Sequence, residues 1–181
     1  MGSKTKGFGR PSQKQVRQWQ EQTAKTIKES GRAVIAVMAN EDAGKDKSEI
    51  TPAFAYTLGN SLQDEPFAEI WTCYPSRPTM SFVLNHISDA IRDGELDHLS
   101  TEPIEAKGFI GEEGGLPVRL RLMTEMERVI AYEAFTCQLP SAATPVCIAE
   151  LPDPAGHFAD DPECHPAVVE AMANAPFRVR L

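Results

Sequence analysis

Residues 53–74 read AFAYTLGNSLQDEPFAEIWTCY. Two short apolar runs, AFAYTLG and AEIWTCY, flank the polar stretch NSLQDEP, which carries turn residues. Runs this short, rich in aromatic and β-branched residues and bounded by Gly, Asn and Pro, are the signature of strands joined by a turn. A third run, RAVIAVMA at 32–39, precedes them and is short enough for a buried strand. Three strands in quick succession suggest an antiparallel meander rather than parallel units with helical crossovers.

Working outward, SRPTMSFVLNHISDAIRDG at 76–94 is the clearest helix. Ser76 can cap it, Pro78 is tolerated in its first turn and Gly94 can end it. Met80, Val83, Leu84, Ile87 and Ile91 fall on one face. Upstream, Ser12 and Gln15 form a capping box, with Val16, Trp19, Thr23 and Ile27 as an apolar stripe and Gly31 as the stop. Trp19 on that stripe reads as a packing anchor. Downstream, VRLRL alternates, with Val118, Leu120 and Leu122 on one face and Arg119 and Arg121 on the other. Thr124 and Glu127 open another helix, PVCIAEL is a last strand, and PAVVEAMANA forms a short helix in a Pro-rich tail. GFIGEEGG at 108–115 reads as turns. The sum is an α+β domain: a largely antiparallel sheet of about five strands, two or three helices packed on one face, and an N-terminal amphipathic helix. Residues 1–30 form a basic helical arm and 31–181 a single domain.

The 181 residues are 41% apolar and 24% charged, as expected of a soluble globular chain. No apolar run reaches the ~20 residues of a membrane span. MGSKTKGFGR has charge without an apolar core, so it does not read as a signal peptide, and a cytoplasmic location follows. The four cysteines, with no C-x-x-C pair, then read as reduced thiols. The net charge of −8 is divided unevenly. Residues 1–32 hold eight Lys/Arg and two Glu, net +6, and the remainder is net −14. An acidic body repels phosphate, which argues against a nucleic-acid-binding body and for a protein partner.

The segments AVIAVMANED, PAFAYTLGNS and AEIWTCYPSRPTMSFVLNHISDAIRDG together resemble the DUF 4262 family of bacterial domains. The resemblance rests on Phe54, Ala55, Tyr56, Thr57 and Gly59, then on Leu151, Pro152, Asp153, Gly156 and Phe158. It covers residues 31–160 and implies fold and extent, not an activity. The loop 40–52 is longer than in typical members, and Ala159 and Asp160 stand where the family often has Pro-Trp, which alters any pocket that aromatic lines. The strand–turn–strand order is also similar to suppressor-of-fused immunity domains, an analogy of fold alone.

Two constellations could carry chemistry. DPAGHFADDPECHP at 153–166 gathers Asp153, His157, Cys164 and His165, donor types that zinc accepts. The competing reading is an acidic turn bent by Asp153 and Gly156. Thiolate chemistry at Cys164 is disfavoured by the surrounding acids. The second constellation is a ligand pocket of Tyr56, Trp71 and Arg77, with Gly59 permitting close backbone approach; the competing and preferred reading packs Tyr56 on the sheet with its hydroxyl at the rim. For Arg77, pairing with an acidic neighbour is the preferred reading. Cys73 and Cys147 read as small buried apolar residues.

Phosphate cradles fail. Around Gly44-Lys45 a P-loop needs Gly where Ala39 stands and Ser or Thr where Asp46 stands, while Glu112 and Glu113 accompany Gly108, Gly111, Gly114 and Gly115. There is no G-x-S-x-G and no H-E-x-x-H. The sequence therefore points to a non-enzymatic binding or regulatory domain of immunity or inhibitor type, without a cofactor. A metal-assisted hydrolase using residues 153–165 is the alternative, and a flavin-binding split barrel a third.

Overall fold

The computed structural model describes residues 12–37, 54–97, 100, 102–110, 115–134 and 143–175. The loop 40–52, Cys137, Gly111, Glu112, Glu113 and Gly114 lie outside the described residues.

The chain is an α+β domain. In order it runs α1 (Gln13–Ser30), β1 (Ala33–Val37), β2 (Phe54–Leu58), a 3-10 turn (Asn60–Leu62), β3 (Glu69–Cys73), α2 (Arg77–Arg92), β4 (Ile104–Ile110), β5 (Leu116–Leu122), α3 (Glu125–Ala134), β6 (Val146–Glu150) and α4 (Pro166–Ala173). The six strands make one sheet in the order β1-β2-β3-β6-β5-β4. The β1–β2–β3 meander is antiparallel, β6 enters parallel beside β3, and β5 and β4 follow antiparallel.

Three expectations are corrected. The sheet has six strands, because the segment that reads as turns begins inside β4. Gly108 sits there at φ 69°, where the β4–β5 register shifts between Ala106 and Ile110. A bulge built on glycine interrupts the alternation that would have revealed the strand. The helices cover both faces, not one. Every residue of β2 and β3 is buried, so these central strands need cover on each side. On one face α2 lays Met80, Val83, Leu84, Ile87 and Ile91 against Ala55, Ile70, Val118, Leu120 and Ala149. Each such side chain fully buried contributes about 1.5–3 kcal/mol of transfer free energy. On the other face Ile27 of α1, Ile130 of α3 and Met172 of α4 meet Phe54, Tyr56, Trp71, Cys73 and Ile148. Finally, β1 is an edge strand and only half-buried beyond Ala33.

The local signals hold where they are strong. Ser12 and Gln15 close their capping box, with Gly31 as the left-handed stop. Ser76 caps α2, and Thr124 and Glu127 exchange bonds at the head of α3. Trp19, however, is 38% exposed and belongs to neither core cluster of the described residues. Among the described residues no helix is long and apolar enough to cross a membrane.

Candidate functional site

Residues 54–61 build a buried polar hub. The β2–β3 pairing ends at Tyr56 opposite Trp71. Just beyond it, the Thr57 hydroxyl accepts from the Ile70 amide at 2.8 Å and donates to Glu69 Oε2 at 2.8 Å. Glu69 Oε1 accepts from Gly59 N at 2.9 Å, Ser61 N at 3.1 Å and Ser61 Oγ at 2.7 Å. Glu69 is 0% exposed, and all four of its bonds come from neutral donors. Asn60 Nδ2 reaches Thr57 Oγ1, Ala68 O and Ser88 Oγ, tying the turn to α2, while its Oδ1 has no partner among the described residues. A buried carboxylate demands such donors, because an unpaired charge in a protein interior is costly.

Gly59 serves the close approach expected of it. A Cβ there would lie 2.7 Å from Gly31 O and 3.1 Å from Ile27 Cγ2, at φ 117°. Its bare backbone seats the last turn of α1, and Gln63 Nε2 donates to Gly31 O at 2.6 Å.

The pocket of Tyr56, Trp71 and Arg77 does not form. Tyr56 and Trp71 are paired cross-strand, buried, and stacked about Phe54 with centroids 6.2 and 5.9 Å away. Burial pushes the Tyr56 phenol well above its ordinary range. Arg77 lies exposed in the first turn of α2, on the opposite layer, and makes no ion pair with a described residue. Alternation along β2 and β3 sends the aromatics to the face that α2 does not cover.

In the 153–166 loop, Asp153 is buried and accepts three backbone amides. Ala155 N and His157 N reach Oδ1 at 2.9 and 3.0 Å, and His165 N reaches Oδ2 at 2.9 Å. The amide bond from His157, with those from His165 and Ala155, holds the Asp153 carboxyl below the usual carboxylate range against the opposing effect of burial. Gly156 at φ 96° completes the bend. His165 caps α4, its Nδ1 accepting from Ala167 N at 3.2 Å. Cys164 is buried and turns its sulfur to His157 O at 3.3 Å. Burial first, then the charges of Asp153 and Asp161, push that thiol up. His157 lies 3.6 Å from both Asp153 Oδ2 and Glu163 Oε2. Asp153, Cys164 and His165 are thus turned onto backbone groups, while the His157 ring faces two carboxylates and its buried Nδ1 makes no hydrogen bond with a described residue. Among the described residues no three His, Cys, Asp or Glu side chains are grouped to hold a metal.

Ala159 packs into the core and Asp160 pairs with Arg119 at 3.0 Å, whose guanidinium lies 3.9 Å over the Phe158 ring. Cys73 and Cys147 are buried, and burial pushes both thiols up to about 12.

The sequence reading passed over Glu69, Asn60 and Ser88. The available signal was a carboxylate at the head of the apolar run AEIWTCY, nine residues after a Thr-Leu-Gly-Asn turn. Geometry therefore defines the class as an α+β domain with a mixed six-stranded sheet and a buried acidic hub. Comparison with protein-family models, curated proteins and solved structures returns no match.

Proposed function

We propose that this chain is a non-enzymatic binding domain of immunity or inhibitor type, whose acidic body acts on a basic protein partner. The observation that supports it most is the outward surface of α3 and α4. Met126 is 65% exposed and Val129 49%, with Val169 exposed as well. The carboxylates of Glu125, Glu163 and Glu170 are exposed on α3, α4 and the loop before α4. Apolar side chains set among acids suit a basic amphipathic segment: the apolar atoms supply binding energy and the acids steer. Tyr56, Trp71, Asp153, Cys164 and His165 are engaged in holding the fold. The resemblance to DUF 4262 adds extent without activity.

The test uses the full chain as bait in a host lysate, at low and high salt, beside a Met126→Arg variant. The expected result is one protein retained stoichiometrically by the wild type and released by the variant. Retention of nothing, or equal retention by both baits, defeats the proposal.

A further inference from the structure

The helical layer presents two complementary surfaces in one molecule. The first is α1. Its anchorage is near its end, where Gly31 meets Gly59 and Gln63, with Thr23 buried and Ile27 half-buried. At 18 residues α1 rises ~27 Å, so a long stretch lies before the anchored turns. That stretch carries Trp19, 38% exposed, and half-buried Val16, beside exposed Lys14 and Arg17. The second surface is the outward side of α3 and α4, apolar at Met126, Val129 and Val169 and acidic at Glu125, Glu163 and Glu170.

Basic and apolar on one side answer acidic and apolar on the other, repeating the division of the chain into +6 over residues 1–32 and −14 over the remainder. Among the described residues Trp19 and Met126 both keep exposed apolar surface, which a contact between them would cover. A second copy supplies each surface with its complement, and exchange of the two contacts about a two-fold axis closes the assembly. We propose that the α1 arm of one copy docks on the α3–α4 surface of a second copy, forming a two-fold dimer. The proposal rests on the reading of that surface as a site for a basic segment, and makes the chain's own arm its first occupant.

Sedimentation of the full chain, from about 1 to about 100 µM, reads the assembly by mass action. The expected mass approaches twice 19.9 kDa at the upper end, and dissociation rises between about 0.05 and about 0.5 M salt. Trp19→Ser and Met126→Arg each raise the dissociation constant about ten-fold or more, as loss of an aromatic or buried apolar anchor does. Both positions are exposed, and circular dichroism verifies that each variant stays folded. Lys14→Glu with Arg17→Glu weakens the dimer, and adding Glu125→Lys with Glu170→Lys in the same chain restores it. A monomer at every concentration overturns the proposal, as does a dimer indifferent to both Trp19→Ser and Met126→Arg. A monomer whose arm instead retains nucleic acid overturns it too. A monomer that still captures a lysate protein sensitive to Met126→Arg removes self-association and leaves the binding function standing.

Discussion

Glu69→Gln replaces one acceptor in a place that holds only donors. Oε1 receives three bonds, from Gly59 N, Ser61 N and Ser61 Oγ at 2.7–3.1 Å, so the amide oxygen of glutamine stays there. The new NH2 must then take the Oε2 position, 2.8 Å from Thr57 Oγ1. That hydroxyl already accepts from Ile70 N at 2.8 Å and Asn60 Nδ2 at 3.2 Å, which occupies both of its lone pairs. Its proton therefore faces the NH2, donor against donor. The variant loses a bond to a charged group, worth about 1.5–3 kcal/mol, and leaves a buried donor unsatisfied at a cost of about 1–3 kcal/mol. These overlap, and the expected loss is about 3 kcal/mol, a large part of the ~5–15 kcal/mol that holds a domain together. Urea unfolding followed by circular dichroism, with linear extrapolation, measures it. Thr57→Val removes the opposing hydroxyl, so Glu69→Gln should cost at least about 1 kcal/mol less in that background than in the wild type. A loss below about 1 kcal/mol, or additivity within about 0.5 kcal/mol in the double variant, refutes the hydrogen-bond reasoning.

Three further outcomes follow from the same geometry. Asp153 is depressed in the folded state, so its contribution is present above the ordinary carboxylate value of about 4 and is lost as pH falls through the folded value. Asp153→Asn should lower stability at neutral pH and flatten its decline below about pH 4, and an unchanged acid unfolding curve would refute this. Gly59→Ala must shift Gly31 or accept strain at φ 117°, so it should cost about 2–4 kcal/mol and speed amide exchange in the last turns of α1 before the sheet opens. With thiols pushed up to about 12 and buried, Cys73 and Cys147 should resist alkylation at pH 8 in the folded protein and react at once in urea, as peptide mapping would show.

What the sequence determined by itself is what short-range physics decides. The α2 helix was legible because its caps and its buried stripe repeat within a few residues, and all five stripe residues are buried as read. The β1–β2–β3 meander was legible from run length and turn residues. In the 153–166 loop, the bend at Asp153 and Gly156 was legible because an Asp side chain and a permissive glycine act on their own loop.

Tertiary structure alone decided the rest, because the deciding bonds join distant segments. Thr57 and Glu69 meet across 12 residues, Arg119 and Asp160 across 41, and Thr72 and Ala149 across 77. Only the packing of α2 on one face, and of α1, α3 and α4 on the other, around a sheet whose middle is β3 beside β6, buries both faces of the central strands. The same event takes Tyr56 and Trp71 into the core and away from Arg77. Trp19 follows the reverse course. Its stripe is encoded locally, but whether a stripe is covered depends on what packs there, and in a single copy of this chain Trp19 stays exposed.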